Sequence, residues 1–412
     1  MTGFIALHAA TILALAPIVF AGRAEGDVPL YRLWATDALA GSWPVIDFAW
    51  VYPAGALVPI MLPIIFGRWS YQLLWLLMVA VANGFALWTL TGGLRRRSAY
   101  RAAWYWLLVE LVLAPVAMLR LEAIAAPLAI AALVLIARRP AIAGALIAAA
   151  TWVKVWPAAL AGAAVVASSR RWRIILGGLL GSAVVAGAVI AAGGAKHLLS
   201  FATIQGDRAL QLEAPVATPW VWATIFDLPG AAIIQDEALA TREVAGPGAH
   251  LAGDIIGVLM VLAVGAVLVL LMRARRAVVR TADHPALAEQ QLVILGAFAL
   301  AGALIVFNKV GSPQYMLWLT PIVTVGLAAD PRRWRVPGWW MIAIGFTTTL
   351  VFPVLYLPLI DGNPIAALVL LVRNVMVVGM FGWSVLELWR AGSTAPVGAR
   401  RVPALDGGLS PA

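Results

Sequence analysis

No cysteine occurs in the 412 residues, which excludes disulfides, thiolate nucleophiles and Cys-ligated metals together. Acidic residues are scarce too, 19 Asp and Glu against 29 Lys and Arg, and charged residues make up only 12% of the chain, where a soluble domain carries roughly 25%. The four histidines, His8, His197, His250 and His284, show no metal-ligand spacing. The Gly-rich stretch "GLLGSAVVAGAVIAAGG" lacks a following Gly-Lys-Ser/Thr, so it is material for close helix packing and not a nucleotide loop. No polar segment is long enough to fold separately. The chain therefore reads as one membrane domain, residues 1–390, with a cytoplasmic, disordered tail at 391–412.

What is present is apolar sequence: 63% hydrophobic residues and a mean hydropathy of +0.94. About 20 apolar residues cross a bilayer, and such runs recur from end to end. The first, "GFIALHAATILALAPIVFAG", has no preceding basic residue and no clear cleavage site, which predicts a retained helix. The basic residues fall in short clusters between the runs, "LRRRSAYR", "ARRP", "SRRWR", "RARRAVVR" and "PRRWR" among them. They report orientation and not nucleic acid, and the positive-inside rule places them in the cytoplasm. Crossings follow near residues 3–22, 71–91, 101–118, 121–137, 141–156, 157–168, 174–193, 253–272, 288–307, 315–329, 338–359 and 364–388. The expectation is an all-α polytopic membrane protein with about 12 crossings and both termini inside. Residues 51–67, with Pro53, Pro59 and Pro63, must not cross and predict a kinked segment packed in protein.

This sorting places most of the acidic residues outside, in loops 22–50 and 194–252 and in short turns. Four lie in the first loop: Glu25, Asp27, Asp37 and Asp47. Asp27, Tyr31, Trp34 and Ala38 fall on one helical stripe, which predicts a short interfacial helix with Asp27 at its start. The plain role for Asp27 is a first-turn acid favoured by the helix dipole, Glu25 and Asp37 read as solvated, and Asp47, just before the Tyr52-Pro53 kink, reads as either a substrate contact or a structural one. Company raises the prospects of the others. Arg120 and Glu122, Lys154, Arg208, Gln211 and Glu213, and Lys309 and Gln314 all stand at outer helix ends, where ionisable groups line cavities or pair with each other. Lys154, among Trp152, Val153, Val155 and Trp156, either snorkels or reaches an anion. Cations beside carboxylates on one face suit a site that binds phosphate and accepts a proton. Arg373 and Asn374, inside the last crossing, are either a buried polar pair or part of a lipid-phosphate path.

Several of these residues stand in a recognisable order. The first loop reads Asp27-Val-Pro-Leu-Tyr31, then Val45-Ile-Asp47-Phe48 and Tyr52-Pro53-Ala54. Arg120-Leu-Glu122, Lys154-Val-Trp-Pro157, Arg208-Ala-Leu-Gln211-Leu-Glu213 and Lys309-Val-Gly-Ser312-Pro313-Gln314-Tyr315 follow. Over nearly its whole length the chain resembles the bacterial polyprenol-phosphate-sugar-dependent membrane glycosyltransferases of the GT-C superfamily, in particular glycosyltransferase family 87. The departures are Tyr-Pro-Ala for Tyr-Pro-Pro, Glu122 where Asp is usual, and Ala214 where Ser is common.

The resemblance implies a GT-C-like bundle in a bacterial plasma membrane. Its reaction is inverting transfer of a sugar, mannose first, from a polyprenyl-phosphate donor to a hydroxyl of a glycolipid or glycan acceptor on the outer face. Asp27 matches the catalytic base. Tyr31, Asp47, Tyr52, Arg120, Glu122, Lys154, Arg208, Gln211, Glu213, Lys309 and Gln314 match substrate-binding positions, with Lys154, Arg208 and Lys309 the candidates for the phosphate. Lipid phosphate leaves readily, so neither metal nor cofactor is expected. An arabinofuranosyltransferase of the same fold is the near alternative. A lipid or sugar-lipid transporter is the distant one, against which stand the absence of an internal repeat and the crowding of polar residues on one face. A non-catalytic scaffold would leave the clustered outer charges without a reason.

Overall fold

The computed structural model describes residues 1–204, 208–236, 241–279 and 282–393. The expected tail from 394 onward lies outside them, as do Asp207 and Glu237. The chain is predominantly helical, and six helices are long and apolar enough to cross a membrane. The main helices are α1 (Thr2–Ala14), α2 (Val28–Leu39), α3 (Tyr71–Leu90), α4 (Tyr100–Val112), α5 (Glu122–Leu135), α6 (Pro140–Val153), α7 (Ala158–Ala167) and α8 (Arg171–Ala191). They continue with α9 (Thr218–Ile225), α10 (Ala249–Val279), α11 (Pro285–Val306), α12 (Met316–Ala329), α13 (Arg335–Thr349) and α14 (Pro364–Ser393). The six long apolar ones are α3, α8, α10, α11, α13 with its continuation to Val354, and α14.

Burial sorts these helices. Of its apolar window α11 has 89% inside the molecule, against 17% for α8 and α10, so α11 is the axis of the bundle and the other two present apolar faces outward. Around α11 one core joins Trp106, Ile130, Trp156, Leu160, Phe298, Met316, Ile322 and Met341. Helices α6 and α8 lie backbone to backbone: a Cβ on Gly177 would overlap the Ala141 carbonyl, and one on Gly144 the Ile174 carbonyl. The Gly-rich stretch of α8 thus serves close helix packing. One buried polar chain fastens α1, α3 and α4. Asn83 Nδ2 lies 3.3 Å from His8 Nε2, and Trp106 Nε1 donates to Asn83 Oδ1 at 3.2 Å.

Several expected elements differ in form. Residues 54–66 form three short, Pro-broken turns, with Ala54, Ala56, Ile60 and Ile64 buried, in keeping with a kinked, packed segment. The run 338–359 is not one helix: after α13 the backbone unwinds, Phe352 takes φ −133°, ψ 119°, and a short helix, Tyr356–Ile360, follows. The chain is also not purely α. Within 194–252, β1 (Ala232–Asp236) pairs antiparallel with β2 (Thr241–Ala245), Ile234 opposite Glu243. Residues 210–212 extend this hairpin: Leu212 N donates to Arg242 O, Val244 N to Leu210 O, and Gln211 bridges Glu243. Gln211 N also donates to Lys309 O at 2.9 Å, so the 307–312 loop joins the same ladder.

Candidate functional site

Asp27 occupies the N-cap of α2, yet its side chain makes no capping hydrogen bond. The carboxylate turns from its own helix: Oδ1 lies 3.4 Å from Arg120 Nη2, and Oδ2 lies 3.4 Å from the Tyr31 hydroxyl. The plain role of a dipole-stabilised first-turn acid does not describe that geometry. Tyr31, fully buried with Val28, Ala35 and Ala38 on the inner face of α2, also accepts from Leu121 N at 3.3 Å. Its ring packs against Trp34, Tyr52 and Trp75. Burial, reinforced by Tyr52, Asp27 and Glu122, pushes its phenol well above the usual range, so it stays a neutral donor. Tyr31 therefore positions Asp27.

Arg120 stands in the turn before α5 and gathers three partners. Besides Asp27 it donates to Gln314 Oε1 at 2.5 Å and lies 5.6 Å over the Phe352 ring. Burial disfavours its charge, but Asp27, with Tyr31 and Glu122, more than offsets this and holds the guanidinium above its ordinary range. Gln314 also accepts from Ser312, so the 312–315 turn is tied to the same guanidinium. Lys154 ends α6, where the backbone becomes extended; its Nζ lies 3.3 Å from Glu122 Oε1 and 4.3 Å from the Tyr52 ring centroid. Glu122 is fully buried, and its carboxylate makes no hydrogen bond among the described residues; what holds it is the Lys154 charge. Of the two outcomes foreseen for Lys154, snorkelling or reaching an anion, the pair is the second, with the Glu122 carboxylate as the anion.

These groups open onto a cavity of about 900 Å³. Of the expected site residues, Asp27, Tyr52, Arg120, Lys154, Arg208, Gln211, Glu213, Lys309 and Gln314 line it, and Tyr31 and Glu122 stand just behind the wall. Asp47 does not join them. It is exposed, and its Oδ2 accepts from Trp43 N at 2.7 Å, so it closes its own turn, a local geometry that the Asp-Phe motif does not announce. Glu213 touches the cavity but is held by Arg373: Nη1 meets Oε2 at 2.5 Å and Nη2 the Glu213 carbonyl at 2.6 Å. Asn374 Oδ1 accepts from the same guanidinium, and its Nδ2 reaches Thr218 Oγ1 at 3.1 Å. Arg373 and Asn374 are therefore a buried polar lock between α14 and the 213–218 segment.

Sequence reasoning missed other lining residues. Phe352 and Tyr356 arrive through the unwound stretch after α13, and Arg242 through β2. Met260, Leu304 and Phe307 add an apolar wall from α10 and the end of α11. Only the unwinding at Pro353 left a trace in sequence. Gly311 packs the Lys309–Tyr315 turn onto the neighbouring chain, where a Cβ would overlap Ala214 N and Glu213 C. Among the described residues no three His, Cys, Asp or Glu side chains form a metal-ligand set.

The arrangement can accept a proton at Asp27, hold an anion on the cationic wall and receive an apolar chain beside Met260 and Leu304. No family model, curated protein or solved structure matches the chain.

Proposed function

We propose that this protein is an inverting membrane glycosyltransferase, in a GT-C-like bundle of about twelve crossings, that moves a sugar from a polyprenyl phosphate to an acceptor hydroxyl of a glycolipid or glycan. The observation that carries the reading is Asp27, an N-cap carboxylate turned off its own helix and partly exposed on the wall of a cavity that also gathers Arg120, Lys154, Arg208 and Lys309. In the reaction, the acceptor oxygen attacks the anomeric carbon while its proton passes to Asp27. The bond from that carbon to the donor phosphate oxygen breaks, and the electron pair leaves with the polyprenyl phosphate. Neighbouring cations stabilise the charge gained by the leaving group.

The clustering of basic residues supports an active site on the outer face of a bacterial plasma membrane, with both termini cytoplasmic. Because the chain has no cysteine, single labels test this directly: Ser42→Cys reacts with an impermeant maleimide from outside, and Ser98→Cys only after permeabilisation. The central test incubates the purified protein with radiolabelled polyprenyl-phosphate mannose, or its arabinofuranose counterpart, and a panel of glycolipid acceptors. Wild type transfers and a folded Asp27→Asn variant does not. Equal transfer by both removes Asp27 from the chemistry, and no transfer with any donor refutes the enzyme reading.

A further inference from the structure

At the end of α11 away from the cavity, the turn between α7 and α8 is fastened from several sides. Glu289, buried near the start of α11, accepts from Ser169 N and Ser169 Oγ at 2.9 Å each, and its other oxygen lies 3.6 Å from Arg275 Nη2. Arg275 Nε donates to Ala167 O at 3.0 Å, and Arg170 Nη1 to Ala137 O at 2.8 Å. Helices α10 and α11 and the chain just after α5 therefore all hold this turn. The one carboxylate that faces it, Glu289, is committed to Ser169 and Arg275.

The turn reads "SRRWR", residues 169–173, and Arg170, Arg171 and Arg173 form no ion pair among the described residues. Arg170 and Arg173 are exposed, and with Ser169 and Trp172 they line an open recess of about 380 Å³. Arginines that only mark the orientation of a chain need neither a fixed backbone nor a recess. Trp172 joins this recess to an apolar strip. It is 75% exposed, and Leu176, Leu179, Leu180 and Val184, exposed as well, continue its face along α8 at helical spacing. From Trp172 to Val184 the helix rises about 18 Å, close to half of a hydrocarbon core about 30 Å thick. A ligand that fits both parts carries a negative head and an apolar chain as long as one leaflet is deep.

We infer that Arg170, Arg173 and Trp172 form a binding site for an anionic phospholipid, with the headgroup phosphate in the recess and an acyl chain along the exposed strip of α8. Charge complementarity selects the head: guanidiniums without a carboxylate attract a lipid of net negative charge, whereas a zwitterionic head brings its own cation to the same place. The fastened turn lowers the cost of binding, because the backbone that carries both arginines is already held. The site stands apart from the catalytic cavity, at the opposite end of α11, and does not depend on the transfer reaction.

Native mass spectrometry of the full chain in a neutral detergent reads the Kd of the first lipid bound. Dioleoyl phosphatidylglycerol is the anionic probe, dioleoyl phosphatidylcholine the zwitterionic one, and glycerol 3-phosphate the head without chains. Wild type is expected to bind phosphatidylglycerol roughly tenfold more tightly than phosphatidylcholine. Arg170→Gln/Arg173→Gln loses that preference and leaves phosphatidylcholine binding unchanged. Because Arg170 also holds Ala137 O, Arg173→Gln alone serves if the double variant does not fold, with about a threefold loss expected for phosphatidylglycerol. Arg332→Gln/Arg335→Gln, which removes two exposed cations from another turn, keeps the preference. The assignment is overturned if the folded variants at 170 and 173 keep the wild-type preference, if both lipids bind wild type alike, or if the Arg332 and Arg335 variant loses the preference too. Glycerol 3-phosphate that competes as well as the intact lipid shows that the strip takes no part, and overturns the lipid as the ligand.

Discussion

Two carboxylate–guanidinium pairs border the same cavity, and they are built differently. Glu213 and Arg373 are 5% and 3% exposed and meet at 2.5 Å, with the remaining guanidinium protons on the Glu213 carbonyl and Asn374. Asp27 and Arg120 are 24% and 14% exposed and stand 3.4 Å apart, with Arg120 divided among Asp27, Gln314 and the Phe352 ring. A sealed pair with its donors matched is costly to break, because removing one partner leaves a buried charge alone. A looser pair at a cavity wall can change partners when a ligand arrives. The first is built for holding and the second leaves its partners open to exchange.

Breaking the sealed pair has the largest expected effect on folding. Arg373→Met leaves Glu213 buried and uncompensated and is expected to cost about 3–5 kcal/mol, read as thermal unfolding in detergent, with much of it recovered in Glu213→Gln/Arg373→Met. An Arg373→Met variant as stable as wild type would erase the distinction. Asp27→Asn should do the converse: transfer falls about 10²–10⁴-fold, while the unfolding temperature hardly moves. Gly311→Ala tests the scaffold between the two pairs. Its Cβ meets backbone, which no rotamer change relieves, and a loss of about 1–3 kcal/mol is expected in the same unfolding assay. Smallest is Asp47→Asn, which weakens one exposed turn, by about 0.5 kcal/mol, and leaves transfer within twofold. A large loss of transfer there would return Asp47 to the site.

The helices were legible because apolar runs announce themselves locally. The short helix α2 was legible too, but only half of its stripe: of the expected positions 27, 31, 34 and 38, Tyr31 and Ala38 are buried, and Val28 and Ala35 take the places of Asp27 and Trp34 on the inner face. The pairings were not. Arg120 to Asp27 and Arg373 to Glu213 join residues far apart in sequence, and nothing in either neighbourhood says which cation takes which carboxylate. Asp47, open in sequence between a substrate contact and a structural one, makes the structural one: its partner, Trp43 N, is four residues away, and a loop carboxylate closing its own turn looks in sequence like one waiting for a ligand. The hairpin escaped notice because "AIIQD" and "TREVA" are short and were read within a long polar loop.

The residues 210–212 hydrogen-bond on both edges, to β2 on one side and to Lys309 on the other. A strip bonded on both edges works as a hinge pin: the hairpin and the 307–312 loop cannot swing apart while it holds, and both come loose when it slips. This side of the cavity should therefore open as one cooperative unit, with the amides of Gln211, Leu212 and Val244 exchanging hydrogen together.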